Sequence, residues 1–231
     1  MQRKNSLYIV SLILILLLFV YELLVSHGES YYYTSICIAL IGMAVFFFHF
    51  EKGKPKAVFL TMIATLCALA VVSRIAFFFL PQVKPMAAIV ILAGIAFGTE
   101  VGFVTGAISA FISNFYFGQG SWTPFQMFAL GLIGALAGLL FAGKKRPTWQ
   151  IVLYGFFSVL ILYGGIVDIN TIFFISHEPT LPLVIGIYAS ALPLNLLFAL
   201  STAVFLAVLK KPILKHIQRV QRKYRLIDKN L

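Results

Sequence analysis

Acidic side chains are nearly missing from this chain, with 7 Asp and Glu against 18 Lys and Arg in 231 residues. Charged residues of both signs make up only 11%, apolar residues reach 61% and the mean hydropathy is +0.99. Soluble domains carry about 25% charged and about 45–50% apolar residues, so a water-soluble globular domain is excluded. Cysteine is as scarce. Cys37 and Cys67 both lie inside apolar runs without CxxC or Cys/His spacing, and they read as small core residues, not a redox or metal pair. His27, His49, His177 and His216 stand singly at span ends or in the tail, so no metal site is expected. There is no Walker A glycine–lysine motif, and any use of ATP must come from another subunit. No nucleophile and base stand at a known catalytic spacing, and no cofactor motif is seen.

What the chain has instead is apolar length. The runs are too long and continuous for the alternation of an outer-membrane barrel, and only helices and closed barrels satisfy their backbone in lipid. An all-α, polytopic membrane bundle is expected. Candidate spans fall at about 6–26, 31–50, 57–80, 124–142, 150–175 and 182–209, each near the ~20 residues a bilayer core demands. The N-terminal MQRKN and the apolar run to Val25 imitate a secretory signal. That run is longer than an ordinary signal core and no small-x-small cleavage site follows, so it is read as a retained first span.

Residues 86–117 are too many for one ordinary helix and few for two. Charge decides. Lys52, Lys54 and Lys56 precede one span and Lys144, Lys145 and Arg146 follow a later one, so an even number of crossings inside 86–117 keeps both clusters on the same face. Two short helices turning near Gly98-Thr99-Glu100 are expected, giving eight spans with both termini in the cytoplasm. Of the 18 Lys and Arg, 16 then lie on the cytoplasmic side, and the exceptions are Arg74 and Lys84. The net charge of +11 reports orientation and contact with anionic lipid, and nucleic acid is not an expected partner. The basic tail, 210–231, carries Ile213, Leu214, Ile217, Val220 and Leu226 at roughly helical spacing and reads as a surface helix on the inner leaflet.

Small residues at four-residue spacing mark close helix contacts: Gly94, Gly98, Gly102 and Gly106 with Ala110, expected to pack inside the bundle, and the Ala64-xxx-Ala68 pair with Thr61 one turn earlier. A charge at mid-span costs on the order of 2.5–3.5 kcal/mol on insertion scales, so each polar intruder asks for a reason. Arg74 lies toward the outer end of its span, and Asp168 with Asn170 toward the outer end of another. Asn114, Gln119 and Gln126 flank the stretch FYFGQGSWTPFQM, and Asn195 follows Pro193 by two residues. Arg74 and Asp168 read either as an ion pair, mutual or with lipid headgroups, or as substrate contacts. The amides read either as caps and interhelical bonds or as a binding site. Trp122, beside two glutamines in a Gly/Pro-shaped loop, suits a stacking platform in a pocket mouth, and Glu100 suits a solvated turn. The common outer depth of these groups describes an outward-facing pocket.

From Ala57 onward the chain resembles the substrate-binding (S) components of energy-coupling factor (ECF) transporters, the vitamin uptake systems of prokaryotes. The resemblance rests on Ala64-xxx-Ala68, on Pro81-Gln-Val-Lys-Pro85, and on the run from Lys84 to Phe141. The SNFYFGQGSWTPFQM portion is similar to a branch that includes cobalamin-type members. It implies a six-helix core over 57–209, preceded by two extra transmembrane helices in 1–50 that depart from the usual pattern. It implies a plasma-membrane subunit that is no enzyme: it binds a vitamin from outside, docks through Thr61, Ala64 and Ala68 onto a membrane coupling (T) subunit, and topples as paired cytosolic ATPases cycle. Carried over by position, the ligand site falls on Gln82 and Lys84, on Asn114, Gln119, Trp122 and Gln126, and on Asp168, Asn170 and Asn195, with Arg74 beside them.

Two rivals stand against this reading. An autonomous secondary transporter or channel would run a polar track through Arg74, Asp168 and Glu100, yet the spans between 86 and 142 carry no ionisable group at mid-membrane. A membrane-embedded lipid enzyme would have only Asp168, His177 and Glu178 to cluster on the outer side.

Overall fold

The computed structural model describes residues 57–176 and 178–223, with scattered helical positions between 33 and 50. The expected first span, the charges at 3, 4, 52, 54 and 56, His27, His49, His177 and residues 224–231 lie outside the described residues. Among the described residues all regular structure is helical: α1 (Ala57–Ala76), α2 (Met86–Phe97), α3 (Thr99–Phe117), α4 (Trp122–Phe141), α5 (Thr148–Phe157), a π-helical segment (Ser158–Tyr163), α6 (Gly164–Ile175) and α7 (Leu181–Lys223). Among the described residues four stretches are long and apolar enough to cross a membrane: Phe59–Ala76, Trp122–Phe141, Thr148–Ile175 and Leu181–Lys223.

The centre of the bundle is α2. Its 12 residues rise about 18 Å, well short of a ~30 Å hydrocarbon core. Every residue from Met86 to Ile95 is buried, and α1, α3, α4 and α7 all pack on it. A helix this apolar on all sides has no face to offer water or headgroups, and a place inside the protein satisfies it. The chain reverses at Gly98, whose φ of 96° is open to glycine and unfavourable for residues with a Cβ, and α3 starts back with Glu100 in its first turn. The break falls where charge parity required it.

Close approach of α2, α3 and α4 follows from their glycines. Gly94 and Gly102 both abut the Gly134 backbone, Gly106 abuts Leu130, and Gly138 closes on Gly98 and Thr99. The glycine row therefore does pack internally, although Gly98 makes the turn between two helices and is not part of one continuous face. Around this junction a single apolar core joins Leu66, Ile89, Ile133, Ile151, Phe198 and Leu206. The described positions before residue 57 rest on the same body. Met43 packs with Phe103, Ala107 and Ala135, and Phe50 lies against the Ile63, Cys67 and Val101 cluster. Cys37, expected as a core residue, is exposed instead, since an apolar side chain in lipid gains nothing by burial.

Three boundaries differ from expectation. α1 stops at Ala76 and gives way to turns before Pro81, because proline disfavours helix in the residue preceding it. α4 begins at Trp122, so the loop after α3 is only residues 118–121, and Trp122 and Gln126 stand on helix. The basic tail is no separate helix. It continues α7 through Pro193 and Pro212 to Lys223, a rod of 43 residues and about 64 Å. Its Ile217 is buried in the core, and Gln221 donates from Nε2 to the Ala96 carbonyl at 3.1 Å. Lys210 Nζ donates to the Arg146 carbonyl at 2.8 Å, tying the α4–α5 loop to the same rod. These contacts hold the helix past a proline that would otherwise end it.

Candidate functional site

Helix ends set the height of the polar side chains. Arg74, Asn114 and Tyr163 stand 17, 15 and 15 residues from the helix ends at 57, 99 and 148, which share one end of the bundle, or about 22–26 Å at 1.5 Å per residue. Lys84 precedes the inner end of α2 at Phe97 by 13 residues, about 20 Å. The loop before α2 therefore dips into the bundle. It turns through Gln82, a non-glycine at φ 55°, and is pinned where the Lys84 backbone N–H donates to Ser201 Oγ at 3.0 Å.

One hydrogen-bonded chain runs along one wall. Arg74 Nη1 donates to Ser113 Oγ and, at 2.9 Å, to Asn114 Oδ1. Asn114, fully buried, donates from Nδ2 to Gln126 Oε1 at 2.9 Å and to Thr123 Oγ1 at 3.1 Å. The Thr123 hydroxyl then donates to Gln119 Oε1 at 2.9 Å, and Gln119 Nε2 to the Phe111 carbonyl at 3.0 Å. The bonds run without a break from Arg74 through Asn114 and Thr123 to Gln119, so the four-residue loop is fastened to α1, α3 and α4 together. Arg74 also lies 4.2 Å from the centre of the Phe117 ring.

The opposite wall is built by α6 and α7. Asn195 Nδ2 donates to Asp168 Oδ2 at 2.9 Å, and its amide lies against Gly164, where a Cβ would block it. Tyr163, at the end of the π-helical segment, meets Phe198 edge to face at 5.0 Å, and the charges of Arg74 and Asp168 both reach its phenol. Lys84 Nζ sits 4.3 Å from the centre of the same Phe198 ring. A π-segment alters the register of side chains along a span, and such segments are frequent at functional sites.

The structure thus brings most of the expected site residues together. Arg74, Asn114, Gln119 and Gln126 belong to one wall, and Lys84, Asp168 and Asn195 to the other. Arg74 and Asp168 do not pair: the guanidinium bonds neutral oxygens and the carboxylate takes an amide. Trp122 is 40% exposed, with its indole over Gly120 at the mouth. Gln119 is exposed and both ends of its amide are already engaged. Gln82 and Asn170 join neither wall, and the buried Asn170 Oδ1 has no hydrogen-bond partner among the described residues. Ser113, Thr123, Tyr163, Phe198 and Ser201 complete the site and were not singled out in the sequence. The Gly164-Gly165 pair next to Tyr163 inside an apolar span is the one signal that pointed there.

Asn114 is the keystone of the first wall. Asn114→Leu should destabilise the purified protein by about 1–3 kcal/mol, because Arg74 and Gln126 are left facing hydrocarbon. Asn114→Asp, which keeps an acceptor for Arg74, should cost less. Thermal unfolding in detergent reads both, and an unchanged melting temperature in Asn114→Leu would mean that these bonds do not hold the loop.

At the other end of α1, Thr61, Ala64 and Ala68 are all exposed, while Leu66 and Ala70 on the far side and Ile63 and Cys67 beside the alanines are buried. The alanines line a groove of about 430 Å³ walled by Leu60, Val71, Ile108 and Phe50.

Residues 58–217 match the family described as ECF transporter, substrate-specific component. No curated protein and no solved structure matches the chain.

Proposed function

The chain belongs to the substrate-specific components of ECF transporters, multi-pass membrane subunits that transport and do not catalyse, and on that premise we propose that it captures a vitamin from outside at the polar side chains of the two walls. What supports this reading is the grouping of Arg74 and Asn114 on one wall with Lys84, Tyr163, Asp168 and Asn195 on the other, about 20–30 Å along the helices from the end of the bundle that carries Glu100. A secondary transporter needs ionisable groups at several depths, whereas Glu100 stands alone at the inner turn, far from both walls.

A corrinoid such as cobalamin is the substrate we favour. It is large and amide-bearing, and the Trp122 indole offers a stacking face with the Gln126 Nε2 amide beside it as a donor. The exposed Thr61, Ala64 and Ala68 face supplies the dock for a membrane coupling subunit driven by paired cytosolic ATPases. The small side chains permit the close helix approach on which association in lipid depends. At the inner end Lys144, Lys145, Arg146 and Lys210 rim a cavity of about 460 Å³ with apolar walls from Ile95, Phe141 and Leu214, suited to anionic lipid.

The test is uptake of labelled cobalamin by cells expressing the chain with and without an ECF coupling module. Binding without accumulation is expected for the chain alone, and accumulation once the module is present. Trp122→Ala should weaken binding about tenfold. Accumulation by the chain alone would refute capture.

A further inference from the structure

Two cations, one on each wall, have no anion beside them. Arg74 uses a single nitrogen, Nη1, for its bonds to Ser113 and Asn114, and no hydrogen bond reaches Nη2 or Nε among the described residues. The Lys84 ammonium faces the Phe198 ring, and no hydrogen bond or ion pair reaches it among the described residues. The carboxylate on the far wall, Asp168, is held by Asn195. Burial, and after it the like charge of Arg74, pulls the pKa of the Lys84 ammonium down to about 7, so an anion beside it would restore a charge that the bundle disfavours.

Charges placed at this depth are ordinarily paired, because water is too scarce to solvate them. Phenyl faces at 4.2 and 4.3 Å give partial compensation and leave both cations able to accept a stronger partner. The unengaged edge of a guanidinium offers two parallel N–H donors, the geometry that meets two oxygens of one acid group. The Lys84 ammonium, on the other wall, adds a point charge without a directional demand. No other pair among the described residues combines two cations, an unengaged donor edge and a place on these walls.

We infer that the substrate carries an oxyanion, a carboxylate or a phosphodiester, and that Arg74 and Lys84 seat it. This rests on the capture reading and narrows it. A corrinoid qualifies through the phosphodiester of its nucleotide loop, whereas a vitamin without an acid group does not.

The test uses the full chain in phosphatidylcholine nanodiscs with matched pairs of probes: cobalamin and the phosphodiester-free cobinamide, biotin and its methyl ester, pantothenate and pantothenol. Equilibrium binding is measured, and any molecule that co-purifies is identified by mass spectrometry. For the pair that binds, the acid should be preferred by at least about tenfold. Arg74→Gln and Lys84→Gln should each remove most of that preference, and Arg74→Lys should keep part of it. The comparison within the wild type needs no variant and so survives a variant that fails to fold. Equal binding of acid and neutral partner, or co-purification of an acid-free vitamin, overturns the inference and leaves capture standing. If no probe binds and nothing co-purifies, capture itself falls and takes the inference with it. Stabilisation by phosphatidylglycerol that depends on Arg74 and Lys84, with every acid probe inert, would assign the pair to lipid headgroups and overturn it as well.

Discussion

Gly134→Val should all but abolish the folded protein. A Cβ at this position falls against the Gly102 carbonyl, and the same backbone faces Gly94, so three helices would have to separate to admit it. Overpacking a core costs about 1–3 kcal/mol when side chains can shift, and here the obstacle is main chain in a junction that surrounds the buried α2. A loss of at least about 3 kcal/mol is therefore expected, read as a collapse in monodisperse yield or as a fall in melting temperature. Gly165→Ala and Gly186→Ala are the controls: open space surrounds both, and an alanine in a helix is favoured over glycine by about 0.5–1 kcal/mol. If Gly134→Val melted like these controls, backbone contact would not be what holds α2, α3 and α4 together.

The second large effect should leave the fold untouched. Ala64→Leu with Ala68→Leu fills the groove on α1 with two isobutyl groups, at positions that are themselves exposed although Ile63 and Cys67 form the groove's floor. Vitamin binding should stay within about twofold, while uptake through a coupling module should fall at least about tenfold, or about 1.4 kcal/mol in docking. This is the mirror image of Trp122→Ala, which should weaken binding and spare docking. Pull-down of the coupling module and ligand binding, measured on both variants, separate the two steps. Should both variants damage the same step, the division into a ligand end and a docking end is mistaken.

Much of this arrangement was legible in the sequence, and the reasons are physical. A lysine cluster on each side of residues 86–117 asked for an even number of helices there, and α2 and α3 do reverse at Gly98. Arg74, Asn114 and Gln126 were conspicuous because lipid excludes such groups. Their union was not, since the bond between Arg74 and Asn114 spans 40 residues of chain and nothing local announces it. Ser113, Phe198 and Ser201 carried no signal at all, because serine and phenylalanine are ordinary in an apolar helix. The descent of Lys84 into the bundle was hidden for the same reason: an outer loop reads as surface until its backbone is seen bonded to Ser201 of α7. The basic residues from Lys210 onward set the tail apart from the last span, and only the tertiary contacts of Ile217 and Gln221 show why the helix runs on.

Mass spectrometry of the purified protein is the most direct test of capture. The full chain is expressed in a host fed a mixture of vitamins, extracted in detergent, and the co-eluting small molecules are quantified. One vitamin at close to one per chain, absent from the Trp122→Ala preparation, is the predicted result. An empty preparation that moves solute by itself across liposome membranes would contradict the account and make the chain an autonomous transporter.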